Sequence, residues 1–320
     1  MSQVTCTPHP AAKNAEWDAF VRAANNGTIF HRQDFLSYHG ERFAANAHHL
    51  RFEKNGNLAG VLPLGIFEED GGRIAKSPFG ASFGGLVTQL DCSLSDMGRM
   101  VEVLLAHLRE NGVRYLKIVQ PPLFYFERFI DYFDFYLVKN GARLAASDLT
   151  SYIPTGPQPI DLFLPRARRD TQKALDAGLE FAPSGDVNGF YEILMENMRK
   201  FNGTPTHSRE EVAWLTERLT DEIKIYQVTH DGTPVAATLI FEVNPRAWLV
   251  FYWAQRQEAT QLHPKNYLIV RLAQLAHERG VKYIDFGPHT LNMEPFDGVT
   301  MFKESLGGLG LLRRAYQLEL

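Results

Sequence analysis

The chain repeats itself, weakly but in order, and this repeat constrains its fold more than any other feature. Residues 54–61 (KNGNLAGV) and 230–237 (HDGTPVAA) each read as a polar strand end, a turn at Asn55-Gly56 or Asp231-Gly232, and an apolar strand. Tight hairpin turns need positive φ at both central positions, which Asn-Gly and Asp-Gly supply, so each segment predicts the first hairpin of a unit. Further on, LAHLRENGVRYLKIVQP (105–121) parallels LAQLAHERGVKYIDFGP (272–288). Both read as an amphipathic helix, a capping Gly112 or Gly280, and a strand carrying Val-(Arg/Lys)-Tyr. The pattern predicts an α/β chain, α+β with mixed sheets, built as two tandem units of roughly 150 residues related by duplication. TGPQPID at 155–161 holds two prolines and a glycine, which places the joint there and gives units 1–156 and 157–320.

The local pattern fills in both halves. In the first we read helices near 15–24, 94–111 and 126–140, with strands near 48–54, 58–67, 82–88, 113–119 and 143–153. In the second, helices fall near 163–177, 186–201, 208–220 and 265–279, and strands near 222–229, 233–243, 247–255, 281–286 and 312–319. The helix at 208 has the firmest start: Ser208 and Glu211 form a capping box, and Val212, Leu215 and Leu219 then mark an apolar stripe.

Composition excludes several classes of function. Lys plus Arg number 33 against 37 Asp plus Glu, a net charge of −4, so no broad surface for coating nucleic acid is expected. Two cysteines, Cys6 and Cys92, cannot make a disulfide framework or a Cys-rich zinc site and fit a reducing compartment. The N-terminus lacks a basic-then-apolar leader, and no window holds the 18 or so apolar residues that span a bilayer. A soluble cytoplasmic protein with no membrane partner is the expectation.

Several motifs dissolve on inspection. DFG at 285–287 lacks the other kinase elements, and GASFGG (80–85) and GGLG (307–310) lack the Gly-Lys-Ser/Thr ending and helix of a phosphate loop. The eleven histidines show no HExxH; the rings of His48 and His49, adjacent in a strand, would point to opposite faces, so no metal site is expected.

Three features carry chemistry. Asp285 closes the strand VKYIDF and is followed by Gly287, Pro288 and His289, at the carboxyl end where open α/β sheets bind ligands. Arg166, Arg169 and Lys173 fall at i, i+3 and i+7 on one helix face with Arg168 beside them. Such a stripe can grip phosphate, or it can be a solvated face paired with Asp170 and Asp176. In MFKESLGG (301–308), Lys303 sits beside Phe302, where it can offer a fixed positive charge to a developing oxyanion or pair with Glu304 at the surface.

The order TIFHRQDFL, an Arg-rich helix opening the second half, NPRAWLVFYWA, HPKNYLIVRLAQLAHERGVKYIDFG and FKESLGG resembles the FemAB-like acyltransferases over nearly the whole chain. These double-GNAT-fold proteins include peptidoglycan-bridge aminoacyltransferases and acetyltransferase-like relatives. The resemblance implies transfer of an acyl or aminoacyl group to an amine of a phosphorylated or peptide-like acceptor, in a cleft between or within the two units. It implies that Lys303 meets the donor or the oxyanion, that Phe302 lines the acceptor channel, and that Arg168 or Arg169 holds phosphate. Asp285, His289 or the substrate itself would accept the amine proton, while Tyr252 and Asn266 would position the donor. No permanently bound cofactor is expected, and the donor stays open between aminoacyl-tRNA, held through the local basic patch, and acyl-CoA. The segment QRQEATQLHPKN (255–266) departs from the glycine loop that cradles the CoA pyrophosphate: it has no glycine and carries Glu258. Two rival functions remain, an acetyl-CoA-dependent N-acetyltransferase with an atypical loop and a catalytically silent ligand-binding protein.

Overall fold

The computed structural model describes residues 3–200, 203–295 and 297–320. The chain forms two compact units, Met1–Asp148 with Leu312–Leu320, and Leu149–Leu311. The joint expected within 155–161 therefore differs from the division between units, and the last nine residues, read from sequence as part of the second unit, belong with the first.

Unit 1 contains β1 (Val4–Pro8), α1 (Asn14–Ala23), α2 (Gln33–Leu36), β2 (Leu50–Lys54), β3 (Asn57–Leu62), β4 (Gly65–Glu69), β5 (Gly72–Ser77), β6 (Val87–Thr88), α3 (Leu94–Glu110), β7 (Tyr115–Val119) and α4 (Tyr132–Lys139). β8 (Arg143–Pro154) then leads into unit 2. One sheet runs β1-β2-β3-β6, all antiparallel. In the other, β4 pairs antiparallel with β5, and β5 lies parallel to β7, the two joined through β6 and α3. The apolar stripe of α3 (Met97, Met100, Val101, Leu104, Leu105, Leu108) packs on Leu50, Phe52, Leu62, Leu116 and Ile118. Its start is capped by the Ser93 side chain, which accepts from the Asp96 amide.

Unit 2 contains α5 (Pro165–Asp176), β9 (Glu180–Ser184), α6 (Val187–Arg199), α7 (Arg209–Arg218), β10 (Ile223–His230), β11 (Thr233–Asn244), β12 (Ala247–Gln255), α8 (Pro264–Glu278), β13 (Tyr283–Pro288), β14 (Thr290–Leu291), β15 (Glu294–Pro295) and α9 (Asp297–Ser305). β16 (Leu309–Glu319) returns to unit 1. The sheet of unit 2 runs β9-β10-β11-β12-β13-β8 and is antiparallel except for β12 beside β13. Leu268, Ile269, Leu272, Ala273 and Ala276 of α8 join Ile240, Trp248, Val250 and Ile284 of the strands in one core. Both repeat hairpins adopt the left-handed turn that their sequences require, with φ of 51° and 82° at Asn55-Gly56 and 50° and 74° at Asp231-Gly232.

In both units the parallel strand has an outer edge, and an antiparallel strand covers it: β16 on β7 from Ala315–Val119 to Glu319–Tyr115, and the end of β8 on β13 from Thr150 to Pro154. Sequence reading could find these strands but not their partners. It also missed β1, β5, β9 and α9. In α9, Gly298, Val299 and Thr300 are poor helix formers, and burial of Lys303 and Leu306 overrides that propensity. Among the described residues no helix is long and apolar enough to cross a membrane.

Candidate functional site

The geometry of unit 2 is set by β12 and β13. These parallel strands pair only at Ala247–Tyr283, Trp248–Ile284 and Leu249–Asp285, although β12 continues to Gln255. Beyond Leu249 their pairing ends, leaving the carboxyl ends of both strands for side chains to line. Trp253 stacks on Phe286 (5.3 Å between centroids, 19°) and meets Phe302 of α9 at 5.3 Å. Lys265, in the first turn of α8, lies with Nζ 4.8 Å from the centre of the Phe302 ring.

Lys303 is 3% exposed, and its ammonium donates to the carbonyls of Pro288 (2.5 Å) and Gly287 (3.2 Å) at the end of β13. The FKESLGG string explains how it is held. Gly307 N–H donates to Glu304 O and Gly308 N–H to Lys303 O, a Schellman end to α9 with Gly307 at φ 79°. A Cβ on Gly307 would come within 2.7 Å of Leu162, and one on Gly308 within 2.5 Å of Ser151 Oγ, so both glycines also permit close backbone approach.

Asp285 is wholly buried. Its Oδ1 accepts from Thr150 Oγ1 (2.6 Å) and from the Gly287 amide (2.8 Å), across the irregular stretch where the β13–β8 register shifts between Asp285 and Pro288. The carboxylate thus fixes the turn whose carbonyls hold Lys303. His289, also buried, has Nε2 3.4 Å from Glu304 Oε1, while its Nδ1 has no hydrogen-bond partner among the described residues. The structure therefore brings Asp285, His289, Phe302 and Lys303 together, as their sequence positions alone could not show.

The other expected residues stand elsewhere. Tyr252 alternates with Trp253, so it faces the opposite side of β12. There its hydroxyl accepts from the Thr206 and His207 amides (2.9 and 3.1 Å), which moors the approach to α7, and burial pushes its pKa up. Asn266 is buried and donates to Thr171 Oγ1 (3.2 Å), tying α8 to α5. Arg168 donates to the carbonyl of Asp161 (2.8 Å). Arg166 and Lys173 reach the same Asp170 at 3.9 and 3.6 Å, His263 approaches it at 3.7 Å, and Arg169 is exposed. The stripe on α5 is thus partly neutralised from within, as the solvated-face reading has it.

Lys265, Trp253 and Phe286 escaped the sequence reading. Lys265 was visible only as a cation at a helix start; its environment comes from residues distant in sequence. Burial, with Lys200 adding repulsion, pushes its pKa down from 10.5 to about 8. Because the unfolded chain binds this proton more tightly, the strain is complete below pH 8 and stability rises between about pH 8 and 10.5. We expect Lys265→Met to raise the urea midpoint at pH 7 and to flatten the rise in stability across that window. An unchanged pH profile would refute the assignment.

Residues 164–303 match the acetyltransferase (GNAT) domain family; β12, α8 and β13, which form the splayed parallel pair and its connecting helix, lie within that span, and unit 2 has a GNAT-like fold. The chain as a whole has a double-GNAT fold, shared with FemX at TM-score 0.72 and 15% identity over 98% of this chain and 97% of that one. L-PGS from Bacillus licheniformis aligns at TM-score 0.59 and 12% identity (97% and 91% covered). A tandem GNAT protein from the clavulanic acid biosynthesis pathway aligns at 0.53 and 12% (99% and 98% covered). No curated protein matches the chain in sequence.

Proposed function

We propose that this protein is an N-acyltransferase whose second unit transfers an acyl or aminoacyl group to an amine of a phosphorylated or peptide-like acceptor. The observation that carries this reading is the ammonium of Lys303, fixed by the Gly287 and Pro288 carbonyls at the end of the splayed strand of a GNAT-like fold. The acceptor amine attacks the donor's ester or thioester carbonyl, the C–N bond forms, and the C–O or C–S bond breaks with loss of the leaving alcohol or thiol. Lys303 stabilises the oxyanion. His289, with Nε2 turned to Glu304, takes the amine proton at Nδ1. Asp285 acts as a positioning residue through the Gly287 turn.

The start of α8 bears on the donor. Pro264 has no amide hydrogen, and the Asn266 and Tyr267 amides donate to the His263 carbonyl (3.0 and 3.3 Å). Few backbone donors remain for a pyrophosphate, which favours a donor other than CoA in its usual seat. With α5 partly self-neutralised, the reading does not lean on transfer RNA.

Thermal-shift measurements against acetyl-CoA, longer acyl-CoAs, an aminoacyl-tRNA and a UDP-linked peptide precursor test this, since a ligand of the native state raises Tm. We expect stabilisation by an aminoacyl or acyl ester or by the acceptor, reduced in Lys303→Ala. Stabilisation by acetyl-CoA at micromolar concentration would overturn the donor argument, and indifference to every compound would overturn the acyltransferase reading in favour of a silent binding protein.

A further inference from the structure

His48 precedes β2 and His107 lies in the last turn of α3, 59 residues away, yet their Nε2 atoms are 2.9 Å apart. With ring centroids 5.2 Å apart, the imidazoles meet end to end. Two ring nitrogens this close cannot both carry a proton, so at least one presents a lone pair to the gap. The adjacent His49 is turned away, stacked on Phe79 at 5.6 Å. Both bases are held in place: the His48 amide donates to Leu64 O (2.7 Å), and Asn111 Nδ2 bonds the His107 carbonyl (2.8 Å). Neither ring is closed off, as both residues are only partly buried. Burial holds the pKa of both rings below the usual histidine value, with the Arg73 charge adding to this at His48 and the Glu110 carboxylate only partly offsetting it at His107; Arg73 is itself paired with Glu68 at 2.9 Å.

We propose that His48 and His107 form a two-histidine site for a divalent first-row transition ion, separate from the acyl-transfer site. The ion takes the place of the shared Nε2 proton, and the ring that carried it goes over to its Nδ1–H tautomer by exchange with water, so both imidazoles stay neutral and no net proton is released. Two nitrogens on a tetrahedral ion with bonds of about 2.0–2.1 Å lie about 3.3 Å apart, an opening of about 0.4 Å that half-exposed rings make by small rotations. Among the described residues no three His, Cys, Asp or Glu side chains converge, so water completes the coordination and the site is open on one side. Imidazole donors select Cu2+, Ni2+ and Zn2+ over Mg2+ or Ca2+, with affinity in the order Cu2+ > Ni2+ and Cu2+ > Zn2+. By bridging α3 to the start of β2, the ion clamps two elements of one core.

The test is calorimetric titration of the EDTA-stripped, dialysed full chain with NiSO4 and with ZnCl2 at pH 7.5, together with the EPR spectrum of the Cu2+ form. We expect one ion per chain, a loss of at least tenfold in affinity in His48→Ala and in His107→Ala, and no change in His277→Ala, which removes an exposed histidine of α8. The Cu2+ spectrum of the parent should show coupling to two equatorial nitrogens, reduced to one in each single variant. Binding that persists unchanged in His48→Ala or His107→Ala, or no one-to-one binding in the parent, overturns the proposal. Circular dichroism of each variant separates lost ligation from lost structure.

Discussion

Lys303→Ala is expected to lower acyl transfer by about 10²–10³-fold in kcat, the usual loss when a fixed donor to a developing oxyanion is removed. The charge sits at the end of β13, and two backbone carbonyls hold it there before any substrate arrives, so little reorganisation accompanies the reaction. Lys303→Met keeps much of the buried volume and removes only the charge. The two variants should lose activity alike if the charge matters, whereas a packing role predicts recovery in Lys303→Met. Donor binding measured by Tm shift separates a binding loss from a chemical one. Full activity in folded Lys303→Met would sink the assigned role.

Asp285→Ala is expected to destabilise unit 2 strongly, by about 3–5 kcal/mol. Hydrogen bonds to a charged group contribute about 1.5–3 kcal/mol each, and the substitution strands the Thr150 hydroxyl and the Gly287 amide in a dry interior. The loss should appear as a lower urea midpoint for the transition reporting on unit 2. Asp285→Asn, which keeps an acceptor, should recover part of it. A midpoint within experimental error of the parent would show that the buried carboxylate does not hold the turn.

These two residues also show how far the sequence reached. Asp285 and Lys303 were singled out from strand-end position and from the FKESLGG string, and both stand in one place. Their relation is a chain of contacts, Asp285 to the Gly287 amide and Gly287 carbonyl to Lys303, that no spacing of 18 residues encodes. Tyr252, on the strand FYWA, and Asn266, at the start of the following helix, are expected from sequence to position the donor, but strand alternation turns one away and helix packing buries the other. The stripe on α5 was legible as a helical face; that Arg166 and Lys173 both reach Asp170 depended on rotamers.

By itself the sequence determined the duplication, the hairpin turns and most helices and strands, because these rest on local φ/ψ preference and on hydrophobic period. Only the tertiary structure decided which strand closes which edge, that α9 is a helix, and that Lys265 lies over Phe302 with its pKa lowered. Edge pairing, burial and desolvation are set by residues far apart in the chain, and a local pattern carries no record of them.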